Sequence, residues 1–333
     1  MENILLEDGV FHIQLHLTNR CNLKCRHCYE GERTCIEEWD YEELIGVVQQ
    51  LENAFFKWSV NGEISLVGGE PTLYPELSRL MYRIYESKYI KRFAILTNGV
   101  YFSDELMQTI IDTKPTVQIS IDGINRDKHD YIRGKGNYDK AINNIKKLVK
   151  NGITVFVHYV ISKYTVPITW EFIEDMERLG VKQITFSRDV PIGFSDKSIM
   201  IGKQEMKALF DQLNRYSNRL RSKNSLTSIN TSRPLWAIYD KSGRCPVGLQ
   251  TLTILHDGTV YPCRRLPIKI GNIKKESIFS IWYNSDVLWN LRHRERIDAC
   301  SECKHLDDCG GARCIAYAVT GDYLACDPQC WRY

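Results

Sequence analysis

The sequence predicts an α/β fold built on a parallel sheet, and three observations carry that expectation. Short β-rich runs recur at residues 12–17, 63–67, 92–96, 116–121, 154–160 and 183–186. Stretches with helical spacing separate or follow them at 41–56, 75–87, 103–113, 139–151, 169–179 and 203–222. The chain is also long enough, at 333 residues and 43% hydrophobic, to bury a sizeable core. Six strand-then-helix units call for parallel pairing, because parallel neighbours need a crossover and a helix supplies one. Right-handed crossovers leave two architectures, an open doubly wound sheet or an incomplete barrel. Either one gathers ligands at the C-terminal ends of its strands.

Composition narrows the function classes. A charged fraction of 26% with a net charge of +3, from 44 basic and 41 acidic residues, excludes a disordered chain. The charges are too evenly balanced to make nucleic acid or a membrane surface the default partner. The N-terminus lacks a basic stretch leading into a long apolar one, and no window approaches about 18 consecutive apolar residues. A cytoplasmic, reducing setting is therefore expected, where the 12 cysteines bind metal or do redox chemistry rather than form disulfides.

The composition changes after residue 224. Residues 224–232 read as a polar linker, so the chain divides into a first domain over 1–225 and a second over 226–333. The second holds a hairpin signal, 252–255 and 259–261 around His256-Asp257-Gly258, and one amphipathic helix near 276–292. Its last 40 residues show so little periodicity that something other than apolar burial is expected to hold them.

Directly after the first strand stands Cys21-Asn22-Leu23-Lys24-Cys25-Arg26-His27-Cys28-Tyr29, a C-x3-C-x2-C arrangement. Three closely spaced thiolates suit an iron–sulfur cluster with one iron left open; the alternative is a zinc site completed by His27. The next strands end in Gly68-Gly69-Glu70-Pro71, Thr97-Asn98-Gly99 and Ser120-Ile121-Asp122-Gly123. Paired glycines admit close approach of a ligand to the backbone, and a neighbouring carboxylate accepts hydrogen bonds from an ammonium. Each sequence alone is an ordinary turn; their succession at strand ends behind the three cysteines is specific.

These residues resemble the radical S-adenosylmethionine (radical SAM) superfamily over the first two thirds of the chain. The resemblance implies a partial (β/α)6 TIM-type barrel with a 4Fe–4S cluster on Cys21, Cys25 and Cys28. It also implies S-adenosylmethionine on the open iron, cleaved by one-electron reduction to a 5′-deoxyadenosyl radical that abstracts a substrate hydrogen. By matched position, Gly68, Gly69, Glu70 and Pro71 would hold the methionine ammonium. Ser120 and Arg133 would hold its carboxylate or the ribose, and Tyr29 would pack near adenine. Asn98 and Asp122 belong to the same loops and are candidate cofactor contacts, although Asp before Gly is a common turn former.

The tail carries Cys245, then Gly258-x4-Cys263, then Cys300-x2-Cys303-x5-Cys309-x4-Cys314, and lastly Cys326 and Cys330. Zinc ribbons are one reading of such spacing. The whole pattern resembles a C-terminal Cys-rich SPASM domain, which implies one or two auxiliary 4Fe–4S clusters. Cys300, Cys303, Cys309 and Cys330 would hold the distal one, and Cys245, Cys263 and Cys314 the proximal one. Cys326 is an extra thiol that either completes the proximal set or stands outside it. Cys35 lies outside both patterns and is an idle buried thiol or, with Cys326, a candidate catalytic thiol.

The resemblance implies an oxidoreductase-type maturase acting on a ribosomally made peptide, by crosslinking, thioether formation or epimerisation. The run 129–138 supports that likeness. About 20 residues precede Cys21, so a peptide would need a separate leader-peptide-binding protein or direct docking in the barrel. A flavodoxin- or ferredoxin-type donor would supply electrons. The tail around 310–325 also resembles members that trim tetrapyrrole side chains in haem precursors. Sulfatase-type maturation is disfavoured because a further cysteine pair is missing, and a zinc-stapled binding protein is the non-enzymatic alternative.

Overall fold

The computed structural model describes residues 9–32, 38–231, 234–239, 245–297 and 300–332. The strands and helices up to residue 231 are β1 (Val10–His16), α1 (Tyr41–Lys57), β2 (Asn61–Val67), α2 (Leu77–Tyr85), β3 (Ile90–Thr97), α3 (Asp104–Thr113) and β4 (Thr116–Ser120). They continue through α4 (Arg126–Arg133), α5 (Tyr138–Lys150), β5 (Val155–Ile161), α6 (Thr169–Arg178), β6 (Gln183–Arg188), α7 (Lys203–Ser222) and β7 (Ser228–Thr231). Strands β1 to β7 lie side by side in chain order, all parallel. This is the incomplete barrel among the two expected architectures.

Helix starts follow local chemistry. Asp40 caps α1 by accepting hydrogen bonds from the Glu42 and Glu43 amides, Ser103 caps α3, and Asn125 caps α4 through the Lys128 amide. Within the strands, a period of two sorts the two faces. On β4 and β5, Val117, Ile119, Val155, Val157, Tyr159 and Ile161 are buried in the apolar core. The intervening Gln118, Ser120, His158 and Val160 face a cavity inside the barrel.

Three expectations need correction. Residues 224–232 are not a linker throughout, because β7 continues the sheet beside β6. A short strand with polar Ser228, Asn230 and Thr231 hides its membership, since edge strands need only one apolar face. The single helix near 276–292 is two, α8 (Ile278–Asn284) and α9 (Asp286–Arg292), with Ser285 ending one and capping the next. The tail also buries far more than its periodicity suggests. Its hairpin, β8 (Thr251–Ile254) and β9 (Thr259–Tyr261), joins the barrel sheet by parallel pairing of β8 with β1. β10 (Gly271–Asn272) follows β9, and α10 (Arg313–Thr320) is a further helix.

Side chains of the tail share the barrel's core. Trp282 packs edge-on against Phe11 of β1 with centroids 4.9 Å apart, and Phe279 meets Trp58 at 5.4 Å. A second tie is ionic. Arg188, at the end of β6, forms a two-pronged pair with Asp327 at 3.0 and 2.9 Å, and both side chains are 1% exposed. Asp327 in turn accepts hydrogen bonds from the Ala312 and Gln329 amides. D327N is expected to lose about 3–5 kcal/mol of stability by stranding a buried guanidinium. Urea unfolding checks this: the R188M/D327L pair should recover much of the loss, whereas simple addition of two losses would show that the residues are not coupled.

Candidate functional site

The loop after β1 is held against the segment after β2 by three backbone hydrogen bonds and by the Arg20 side chain, which donates to Leu73 O at 2.7 Å. Leu17 N donates to Val67 O at 2.9 Å, Gly69 N to Thr18 O at 2.9 Å, and Glu70 N to Arg20 O at 2.7 Å. A Cβ on Gly68 would stand 2.4 Å from Thr18 O, and one on Gly69 would stand 2.2 Å from Arg20 O. The paired glycines are therefore required by the approach of the cysteine loop itself, where a ligand had been expected. Two further contacts pin that loop: Arg26 N donates to Ile132 O at 2.9 Å, and Phe194 N donates to Cys28 O at 2.8 Å.

Cys21, Cys25 and Cys28 line a solvent-connected cavity with about 990 Å³ of empty space. Tyr29, Gly68, Gly69, Glu70, Asn98, Ser120 and Arg133 line it too. The structure thus brings together nearly all the sequence-predicted residues of the first domain. Pro71 and Asp122 are exceptions. Pro71 is buried at the start of a 3-10 turn, and Asp122 lies behind the wall.

Asp122 is fully buried and binds Arg133 Nε at 2.6 Å and His27 Nε2 at 2.8 Å, and it accepts from Val160 N at 2.8 Å. Burial alone would raise its carboxyl, but Arg133 and His27 outweigh that and hold it well below the carboxylate range. Asp122 therefore orients two cavity residues instead of touching a ligand. Because Arg133 Nε is taken, the terminal nitrogens of its fork are what remain for an incoming carboxylate.

Glu70 is 1% exposed. Its Oε1 accepts from Thr72 N, Thr72 Oγ1 and Thr97 Oγ1, while Oε2 accepts only from Asn98 N at 2.7 Å. Oε2 keeps acceptor capacity for an ammonium. Burial dominates and raises the Glu70 carboxyl, with those donors opposing. Asn98 is itself engaged, its Nδ2 donating to Asn22 Oδ1.

In the tail, Cys300, Cys303, Cys309 and Cys330 line a second, much smaller pocket. Tight turns bring them there: Cys303 N donates to Cys300 O, Cys309 N to His305 O, and Cys330 N to Asp327 O. Burial pushes the Cys300 thiol up to about 11, so a cation must replace its proton for the site to carry thiolates. Cys314 has Cys263 and Cys245 as its thiol neighbours, with Arg265 beside all three. Cys326 instead neighbours Cys300 and Cys330, and its thiol donates to Asp327 O at 3.6 Å. Two groups of neighbouring thiols thus form, and Cys326 stands beside the one that holds Cys300 and Cys330. Among the described cysteines none is in a disulfide. Cys35 lies outside the described residues.

Sequence reasoning missed His158, Asp189, Arg188, Arg264 and Arg265, all on the wall of the first cavity. The alternation on β5 could have identified His158, and Arg264-Arg265 follow Cys263 directly.

Comparison with known proteins agrees with this arrangement. Residues 15–176 match the model of the radical SAM superfamily, and 245–304 match the SPASM iron–sulfur cluster-binding domain. An AdoMet-dependent heme synthase of Methanosarcina barkeri is 25% identical over 96% of this chain and 95% of its own. The mycofactocin maturase MftC of Mycolicibacterium smegmatis is 27% identical over 94% and 81%. Among solved structures, Streptococcus suis SuiB bound to S-adenosylmethionine superposes with a TM-score of 0.78 at 16% identity, covering 95% of this chain and 75% of that one. That likeness establishes the fold.

G69A is expected to force the two loops apart and to cost about four irons per reconstituted chain, one cubane's content. Iron assay checks this, and an unchanged count would show that the loops can part without harm. Acid should act through His129, whose ring burial and nearby Arg133 lower from 6.5 to about 4. The unfolded chain then takes the proton first, so stability is full above pH 6.5 and falls as pH drops toward 4. At pH 5 the loss is roughly 2 kcal/mol. Urea titrations at pH 7 and 5 should show a smaller drop for H129Q.

Proposed function

The chain belongs to the radical SAM superfamily and carries a C-terminal SPASM domain, and from that premise we propose that it is a maturase abstracting a hydrogen atom from a ribosomally made peptide. Its cofactors are S-adenosylmethionine, a 4Fe–4S cluster and auxiliary clusters in the SPASM domain. When bound and reduced by one electron, the first cluster and S-adenosylmethionine together supply a 5′-deoxyadenosyl radical.

The residues present suit these groups. Cys21, Cys25 and Cys28 offer three soft ligands on one loop, leaving one iron for the nucleotide. Glu70 Oε2 accepts hydrogen bonds from the methionine ammonium, and the Arg133 fork, steadied by Asp122, takes the carboxylate. The Ser120 hydroxyl reaches the carboxylate or ribose, and Tyr29 packs near adenine. Cys245, Cys263 and Cys314 hold the proximal auxiliary cluster; Cys300, Cys303, Cys309 and Cys330 hold the distal one.

The observation that carries the peptide reading is a group of exposed aromatic residues beside the cysteine loop. Phe194 is 40% exposed and bonds the Cys28 carbonyl; Tyr131 and Tyr164, 47% and 45% exposed, stack edge to face at 5.4 Å beside Arg26. An extended chain can enter there and cover them. The likeness to MftC, and to the subtilosin biosynthesis protein AlbA of Bacillus subtilis, 28% identical over 90% of this chain, supports it. Crosslinking, thioether formation and epimerisation all begin with the same abstraction. A flavodoxin- or ferredoxin-type donor supplies the electron, a separate protein presents the leader peptide, and the thiol-rich sites suit the cytoplasm. No described helix is long and apolar enough to cross a membrane. Trimming of a haem precursor is the second reading, favoured by the near end-to-end alignment with the heme synthase.

Anaerobic reconstitution should yield roughly 8–12 irons per chain and reductant-dependent 5′-deoxyadenosine. The C21A/C25A/C28A variant should lose about four of those irons and all cleavage. Co-expression with a short cysteine- or glycine-rich peptide from a neighbouring reading frame should give a crosslinked or epimerised product, read by mass spectrometry in deuterated solvent. Conversion of a porphyrin propionate, with no peptide changed, would overturn the peptide reading.

A further inference from the structure

Four arginines line the first cavity: Arg133, Arg188, Arg264 and Arg265. Arg133 is paired with Asp122, and Arg188 with Asp327. Neither Arg264 nor Arg265 has a carboxylate within ion-pair distance among the described residues. The carboxylates on the same wall are otherwise engaged. Glu70 collects four donors, Asp189 accepts from Ser195 Oγ at 2.6 Å, and Glu30 lies 3.7 Å from His16. Arg265 sits among Cys245, Cys263 and Cys314 and donates to Arg188 O. Arg264 is half-buried, with its guanidinium 5.7 Å from the centre of the Tyr29 ring. A planar cation over an aromatic face keeps its in-plane donors for a planar anion. A half-buried charge beside a cavity, with no carboxylate partner among the described residues, is stabilised when a ligand brings the opposite charge.

We propose that Arg264 anchors a carboxylate of the substrate, with Arg265 adding positive potential behind it. The substrate is therefore an acidic molecule, and, resting on the peptide reading, its carboxylate is an Asp or Glu side chain or a free C-terminus. A propionate presents the same chemistry.

The test uses anaerobically reconstituted holoenzyme saturated with S-adenosylmethionine, offered a random peptide library and, separately, coproporphyrin and its methyl ester. Wild-type protein should retain Asp-, Glu- or C-terminal-carboxylate peptides about tenfold or more over their amides. R264Q should lose that preference, R264K should keep part of it, and R264E should turn it toward Lys and Arg, an inversion no damaged fold produces. If no peptide is retained but coproporphyrin is, over its ester and dependent on Arg264, the anchor stands and the peptide reading fails. Absence of any preference for carboxylates in the wild type, or the same preference in R264Q, overturns the proposal.

Discussion

Everything at the reactive end of this barrel depends on backbone pairing between the loop carrying the three cysteines and the loop carrying Gly68-Gly69. A metal-binding loop without an apolar core of its own needs fixed neighbours to hold its thiols in one place. Here the neighbours are carbonyls and amides, at distances that exclude any Cβ. The same constraint explains Glu70. With three donors on one oxygen and one on the other, it ties the loops after β2 and β3 together while leaving one acceptor position open. Rigid placement of a few polar atoms matters more to radical chemistry than affinity does, because an uncontained radical attacks whatever lies nearest.

Charge is handled by pairing behind the wall. Asp122 neutralises Arg133 and steadies His27, and Asp327 neutralises Arg188, each carboxylate lying outside the cavity while its partner lines it. Buried pairs of this kind contribute little net stability when complete, yet strand a charge when broken. Their value is positional. They fix the direction of each guanidinium.

The tail is less a separate module than a lateral extension of the barrel. Its hairpin adds to β1, its tryptophan enters the barrel's aromatic cluster, and Asp327 reaches back to β6. The auxiliary thiols are thereby held at a set distance from the first cavity, with Arg188 and Arg265 between them. Electron exchange between centres needs such a fixed separation, and apolar burial contributes to it.

Periodicity and spacing in the chain determined the six strand-and-helix units and the three-cysteine loop, because these features are local in sequence; the division of the tail cysteines into two sets came only from the resemblance to a SPASM domain. Period-two burial on β4 and β5 was equally legible, though it takes the whole barrel to show which face is inside. The sequence could not tell that the Gly68-Gly69 pair serves backbone contact with residues 50 positions earlier, that Asp122 works behind Arg133, or that β7 closes onto β6. Nor could it tell that Arg188 finds Asp327 while Arg264 finds no carboxylate among the described residues. Each depends on which distant groups meet, and that is settled only when the sheet closes and burial leaves every charge to find, or lack, a partner.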